Sequence, residues 1–417
     1  MHNHHQRHIQ LFEHDSIRVG EVRDGHTFTE ADWHQLLKLN ERQYPPYLQP
    51  IHRGIRTLHY VGLIQLPGLC LEILPKTDRD QSSQNRHLLL HLLSLSQKIP
   101  AIQRANFLQA AKGSLSDYFI SQFLEACEQL CRNGLVKKYR QETGNFSRFR
   151  GRMLVREHVR HNHAHKERVY AEYQTHDTRH PLHMLILQAL GEVSRLSIEP
   201  EILCRAKQLM AEFPDCGNKK LGDEERKKIR LTQQDQHYVN VIQWTDLILD
   251  NLSPRLQPGD LACSAFLFDM QQLFEELVAR KLASAARELG HTLQLQPSRH
   301  FWRQRRIRPD MVLKTKEGET IILDTKWKLL RNHQPDESDL KQMYIYNHFF
   351  GAQRGVLIYP AQSGFGNFGE SYQQHASEEM RCEIVFVDLW DQDGNKFKQT
   401  MGHELLQLLL KKEDHTA

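Results

Sequence analysis

Apolar and polar positions alternate through "YVGLIQL", break at Pro67-Gly68 and resume in "LCLEILPK", the two-residue period of paired strands joined by a tight turn. The pattern predicts a β-hairpin within Ile55 to Lys76 and a β-rich start to the chain. The period then lengthens. "HLLLHLLSLSQ" and the segment from about Ser116 to Asn133, stopped by Gly134, carry helical spacing, and "GRMLVREHV" reads as an extended or mixed element. A second helical stretch opens with "HPLHMLILQALGEVSRL" and runs, with polar interruptions around "FPDCGNKKLGDEERKK", to roughly Leu252. "NLSPRLQPGD", with its two prolines, marks a boundary. Beyond it the reading is a long helix, "SAFLFDMQQLFEELVARKLASAARELG", then strands at "TLQLQ", "DMVLKT" and "TIILDTKWK". A helix from Ser338 through "LKQMYIYNHFF" and strands at "GVLIYP" and "CEIVFVDLW" complete it. The expected fold class is α+β, or mixed: a β-rich N-terminal domain over 1–175, a helical connecting segment over 176–255, and an α/β domain over 256–417 with helices packed on a central sheet.

Length agrees with several domains, since 417 residues exceed what one ordinary core holds. No apolar run reaches membrane-spanning length and the N-terminus lacks a signal-peptide core, so a cytoplasmic protein without a membrane partner is expected. Seven scattered cysteines, an odd number, point to reduced thiols. Cys127 and Cys131 share one helix face with Phe119, Phe123 and Leu124, which favours packing over zinc. The histidine runs "MHNHHQRH" and "HVRHNHAHKER" lack zinc-site spacing and read as solvated. Net charge is only +4, but it is clustered: Lys137 to Arg168 holds ten Lys/Arg against three Glu, and "RQRRIR" at Arg303 to Arg308 adds four arginines. Beside Tyr139, Phe146 and Phe149, the first cluster fits a phosphate-tracking surface or an ordinary solvated face equally well.

The chemistry concentrates downstream. In "TIILDTKWK" the strand period puts Asp324 and Lys326 on one face with Ile322, and Asp310 lies one hairpin earlier, behind a proline. Carboxylates held close on adjacent strands repel, and a divalent cation relieves that repulsion. Mg2+, a hard ion that takes oxygen ligands, suits them. With a lysine alongside, phosphodiester hydrolysis is the natural reaction: the ion acidifies bound water and Lys326 orients it or helps deprotonate it. An isolated D-x-K also describes a surface ion pair in an ordinary hairpin. Here, however, P-D, then thirteen residues of which the last three are apolar, then D-x-K resemble the PD-(D/E)XK nucleases. Gln342 and Tyr346, four apart on one helix face, resemble the Q-x-x-x-Y element of RecB-like members. Glu275, on a helical row with Gln271, Val278 and Leu282, stands where that superfamily often completes its metal site.

The likeness extends beyond these motifs. "VGLIQLPGLCLEILPKTD", "NFSRFRGRMLVREHV", "DMQQLFEELV", "RPDMVLKT", "LDTKWK", "SDLKQMYIYNHFF" and "GVLIYP" together resemble the McrC family, the nuclease subunit of McrBC-type modification-dependent restriction systems. The resemblance spans about Val61 to Pro360. It implies an Mg2+-dependent endonuclease acting on double-stranded DNA modified in the manner of 5-methylcytosine. It implies Asp310, Asp324 and Lys326 as the catalytic centre, Glu275 and Gln342 in support, and Asp310, Asp324 and Glu275 as metal ligands. It also implies a hexameric AAA+ GTPase partner, docked by the N-terminal part and stimulated by it. Arg150 and Arg152 are then either interface residues reaching the partner's nucleotide site or a packing and salt-bridge pair. Two departures are local: His183 stands where the family suggests Asn, and Cys216 to Arg230 looks inserted. The chain has no Walker A pattern, G-x-S-x-G elbow, H-E-x-x-H pair or dinucleotide fingerprint, so GTP hydrolysis by this chain itself is not expected and no organic cofactor is implied. Two other readings compete: a stand-alone RecB-like repair nuclease, and a catalytically silent regulatory or DNA-binding subunit.

Overall fold

The computed structural model describes residues 7–41, 46–77, 82–96, 99, 115–165, 167–177, 180–196, 200–217, 220–252, 264–330, 334–372, 380–391 and 397–411. The start of the first histidine run and most of the proline-rich "NLSPRLQPGD" boundary lie outside them. The chain divides into two compact units, one made of Met1–Gly113 with Ala265–Ala417 and the other of Ser114–Ser264. The expected partition at 175 and 255 therefore differs from the compact units: the N-terminal strands fold with the C-terminal α/β segment, and the second unit is inserted in sequence between the two.

The N-terminal part begins with β1 (Arg7–Phe12), the short strands β2 (Ser16–Arg18), β3 (Val22–Arg23) and β4 (His26–Thr27), and α1 (Glu30–Glu41). It continues through β5 (Leu48–Ile51), β6 (Gly54–Thr57), β7 (Tyr60–Leu66), β8 (Leu69–Leu74) and α2 (Ser82–Leu95). The predicted hairpin forms as β7 against β8, antiparallel, with Gly68 of the Pro-Gly turn at φ 80°, a backbone state open to glycine without Cβ strain. All six residues of β8 are buried, and β1 pairs with it in parallel on its other edge. The buried Glu72 within it is held by the Arg86 guanidinium.

The inserted unit opens with α3 (Leu115–Asn133), followed by β9 (Lys138–Phe146), β10 (Arg152–Met153), α4 (Val155–Asn162) and β11 (Val169–Asp177). Then come α5 (Pro181–Leu196), α6 (Pro200–Glu212), α7 (Asp223–Lys228), a 3₁₀ turn at Gln233–Tyr238 and α8 (Val239–Leu252). β9 and β11 pair antiparallel over their whole length, with β10 on the far edge of β11. The mixed element "GRMLVREHV" is thus β10 plus α4. Cys127 is buried on α3 with Phe119 and Phe123, as the packing reading requires. His183 is fully buried on α5, its Nε2 2.6 Å from the Tyr238 hydroxyl, which in turn accepts from the Val136 amide at 2.8 Å.

The C-terminal part holds β12 (Ser264–Asp269), α9 (Met270–Glu288), β13 (Thr292–Leu295), β14 (Arg299–Trp302), β15 (Arg305–Ile307), β16 (Met311–Lys314) and β17 (Thr320–Thr325). α10 (Glu337–Phe350), β18 (Arg354–Pro360), β19 (Phe368–Ser371), β20 (Arg381–Val387) and α11 (Met401–Leu410) follow. Here the long-helix expectation is corrected: "SAFLFD" is a strand, and the helix starts at Met270, where the Asp269 side chain accepts from the Gln272 amide at 3.2 Å. β12 sits beside β7 in a four-stranded sheet of order β1-β8-β7-β12. The approach is so close that a Cβ on Gly62, at φ 134°, would lie 1.9 Å from the Phe266 carbonyl oxygen. That pairing joins the two ends of the chain within one unit, as does the hydrogen bond from the Trp327 indole to Glu13. The central sheet has the order β13-β16-β17-β18-β20-β19, antiparallel across β16–β17 and parallel across β17–β18–β20. Val312, Ile322, Leu357, Tyr359 and Ile384 of its strands pack with Met343 and Tyr346 of α10. Among the described residues no helix is long and apolar enough to cross a membrane.

Candidate active site

β17 is buried along most of its length, which is why it reads as three consecutive apolar residues before Asp324. At its end Asp324 is only 3% exposed, and the Lys326 amide continues the ladder by donating to the Ile358 carbonyl at 2.8 Å. β16 runs antiparallel beside it with Met311 opposite Leu323, so Asp310, just before β16, falls next to the end of β17. Asp310 Oδ2 accepts from both the amide and the hydroxyl of Thr325, each at 2.7 Å. The proline-aspartate and the aspartate-x-lysine are thereby joined through Thr325, the residue between Asp324 and Lys326.

Lys326 Nζ lies 2.8 Å from Asp324 Oδ2, 3.1 Å from Gln342 Oε1 and 3.5 Å from Asp339 Oδ1. The Asp324 contact is an ion pair without the direction of a hydrogen bond, and this buried oxygen has no hydrogen-bond partner among the described residues. Burial, and then the Asp310 charge, push the Asp324 carboxyl up to about 7 against the pull of Lys326. Burial acts to lower the Lys326 ammonium, but the surrounding carboxylates, Asp324 first, outweigh it and leave its pKa raised. Asp339, the third group near Lys326, is also held by Lys328 Nζ at 2.6 Å.

Two helices fix these groups. From α10, Gln342 accepts from Lys326 and donates through Nε2 to the Tyr346 hydroxyl at 2.7 Å, and that hydroxyl donates to the Arg308 carbonyl at 3.1 Å. From α9, Gln271 spans the lysine: its Nε2 donates to the Thr325 carbonyl at 2.6 Å and its Oε1 accepts from the Trp327 amide at 2.8 Å. Glu275, one turn along the same face, accepts from Gln296 Nε2 at 2.8 Å. Burial and then the Asp310 charge raise its pKa, which ties it to the carboxylate cluster.

Among the described residues no three His, Cys, Asp or Glu side chains stand in a metal-ligating arrangement. The donor set nevertheless fits a hard cation. Asp324 Oδ2 is buried without a hydrogen bond, Asp310 has one oxygen outside its Thr325 contacts, and the Asp310 charge raises the pKa of both Asp324 and Glu275. A cavity of about 1310 Å³ at the opposite end of β16 and β17, lined by His291, Lys316, Glu319 and Arg354 among others, shares no residue with this cluster.

Residues 55–360 match the family model described as McrBC 5-methylcytosine restriction system component. The chain belongs to that family. Among solved structures it resembles a chain of the tetradecameric assembly of Thermococcus gammatolerans McrB AAA+ hexamers with bound McrC. The identity is 17%, the coverage 97% of this chain and 100% of that one, and the TM-score 0.73. It also resembles a chain of the Thermococcus gammatolerans McrBC complex at 19% identity, over 66% of this chain and 87% of that one, with a TM-score of 0.52. At these identities the likeness is one of fold. No curated protein matches the chain.

Of the residues expected to act in this McrBC-family chain, Asp310, Asp324, Lys326 and Gln342 are brought together by contact, directly or through Thr325. Glu275 is tied to Asp310 by charge, without a hydrogen bond between them. Three neighbours escaped the sequence reading. Gln271 was legible only as a member of the Glu275 row, Asp339 precedes Gln342 by three residues on α10, and Gln296 had no signal, since it reaches Glu275 from a non-helical turn at φ 44°.

Proposed function

We propose that this restriction-system component is its DNA-cutting subunit, an Mg2+-dependent endonuclease acting with a GTP-hydrolysing AAA+ partner on DNA that carries a 5-methylcytosine-type modification. The observation that carries the reading is the buried Asp324 carboxylate paired with Lys326 at 2.8 Å, with Asp310 anchored beside it on Thr325. Asp310 and Asp324 would hold the metal, with Glu275 at its edge; the ion, when bound, supplies Lewis acidity towards water and phosphate oxygen. Lys326, already aimed by Gln342 and by the Gln271 clamp on its two neighbours, orients a water by donating a hydrogen bond to it. Tyr346 keeps Gln342 in place and, through the Arg308 carbonyl, steadies the strand entry that carries Asp310.

The AAA+ partner is proposed from the McrB hexamers named in the solved relative and from the expected docking role of segment 1–175. Within that segment, Phe149, Met153, Val155 and Val159 of the inserted unit are exposed apolar residues interleaved with Arg148, Arg150, Arg152 and Arg156, a composition suited to a protein interface. A silent regulatory subunit is disfavoured by the intact Asp310, Asp324 and Lys326, and a stand-alone nuclease by the family match reaching back to residue 55.

The test is cleavage of modified duplex DNA by the assembled complex. Asp324→Asn and Lys326→Ala are each expected to abolish Mg2+-dependent cutting while leaving association with the partner intact. Cutting at the parent rate by either variant removes this site from the reaction.

A further inference from the structure

Building on the nuclease reading, we propose that the β14–β15 hairpin is the element with which the chain grips duplex DNA beside the cut site, its arginines on the phosphates and Trp302 wedged against a base step. All four residues of β14 are exposed, Phe301 at 46% and Trp302 at 57%, where aqueous exposure of a bare tryptophan has a cost unless it serves a contact. The charge is of one sign. From residue 291 to 309 there is no Asp or Glu, while Arg299, Arg303, Arg305, Arg306 and Arg308 all lie there. A hairpin that presents aromatic rings and the guanidinium groups of Arg303, Arg305 and Arg306, with no carboxylate of its own, complements a polyanion with stacked bases better than it complements a protein face of mixed charge.

The hairpin is built to be held out. At its root the Arg299 guanidinium donates to the Phe349 carbonyl at 2.5 Å and lies 4.6 Å from the Phe350 ring centroid, and Phe301 meets Phe349 edge-on at 5.4 Å. At its tip, between Trp302 and Arg305, the turn places Arg303 at φ 49°. Such a turn position favours Asn or Gly, and a long side chain there carries a strain cost that a contact role explains. Arg303 lies 4.9 Å from the Trp302 ring centroid, so cation and ring are presented together.

Both ends of the hairpin return to the candidate active site. On the entering side the Gln296 amide donates to the Asp310 carbonyl at 2.8 Å while its side chain donates to Glu275. On the leaving side the Arg308 carbonyl accepts from Tyr346. A duplex held by this hairpin is therefore registered against the carboxylates within a few residues of chain, and its position is coupled to theirs.

The experiment uses the full chain without divalent metal, a short fluorescent duplex and anisotropy to read affinity. Trp302→Ala is expected to weaken binding about tenfold, the scale of one lost base–aromatic contact. Arg303→Gly, whose glycine fits the positive φ, is expected to lower the salt slope of log Kd by about one phosphate contact. A 2-aminopurine reporter in the duplex should brighten with the parent chain and not with Trp302→Ala. Parent-like affinity and salt slope in both variants, or no duplex binding by the parent chain, overturns the proposal. So does loss of association with the AAA+ partner while DNA affinity is kept, which would give the hairpin to a protein interface. Failure of the nuclease reading looks different: Asp324→Asn would then cut like the parent chain while the hairpin variants still lost DNA.

Discussion

The molecule carries two arginine-rich, aromatic surfaces, and they differ in what lies under them. In the inserted unit, the stretch around Arg148 to Arg160 rides on a β-ribbon and a short helix whose polar contacts close on themselves. Asn145 and Asn162 exchange hydrogen bonds at 2.7 and 2.9 Å, His158 Nδ1 accepts from the Tyr170 amide at 3.2 Å, and Arg150 lies 6.0 Å from the Tyr173 centroid. In the other unit, the β14–β15 hairpin is rooted on Gln296 and Arg308, which reach Glu275, Asp310 and Tyr346. Clustered arginine alone thus says little. What sets one cluster apart is the carboxylates beside it, and not cation density, which the two share.

The largest effect that sharpens this contrast is expected from Asp324→Asn and Lys326→Ala, each lowering cleavage by the assembled complex at least a hundredfold, the scale of removing a group that acts on the proton or the charge in the transition state. Next comes Glu275→Gln, which should weaken the apparent Mg2+ affinity in cleavage titrations by about tenfold, while Glu276→Gln has little effect. The reverse ranking would mean that the acid completing the cluster is Glu276. Arg150→Ala in the inserted unit should reduce stimulation of the partner's GTP turnover severalfold and leave duplex affinity of the chain unchanged. An equal loss of DNA binding there would erase the distinction between the two surfaces.

The smallest effect concerns stability. Glu13, after β1, is buried with Oε2 accepting from the Trp327 indole at 2.7 Å and from the Lys76 amide at 3.0 Å, while Oε1 has no hydrogen-bond partner among the described residues. Burial pushes its carboxyl up to about 8. The folded state therefore holds this proton more tightly than the unfolded one. Its contribution is fully present below the unfolded value and is lost as pH rises towards the folded one. Urea midpoints of the metal-free chain should fall between about pH 5 and pH 8, and Glu13→Gln should flatten part of that fall. An unchanged slope would show that Glu13 does not carry it.

Much of the cluster was legible because its signals are local. A strand period fixes which residues share a face, so Asp324 and Lys326 could be paired from "TIILDTKWK", and a four-residue helical step linked Gln342 to Tyr346. The helix row that picked out Glu275 also contained Gln271. The boundaries were not legible, because β12 could only be recognised as the partner of β7 once some two hundred intervening residues were folded away, and "SAFLFD" runs straight into a helical pattern that masks it.

The sequence by itself determined the hairpin at Pro67-Gly68, the long α3 with its buried Cys127, the β16–β17 pair and the identities of the acids, since each follows from side-chain period, turn chemistry or motif spacing over a few residues. Tertiary structure alone decided which distant groups meet. It brought Glu13 to Trp327, Gln296 to Glu275 and the Asp310 carboxylate to Thr325, and it gave Asp324 a buried oxygen without a hydrogen bond. Such contacts depend on the register of strands and the seating of helices across a sheet, and burial, which sets the charge state of an acid, is a property of everything packed around it rather than of its neighbours in the chain.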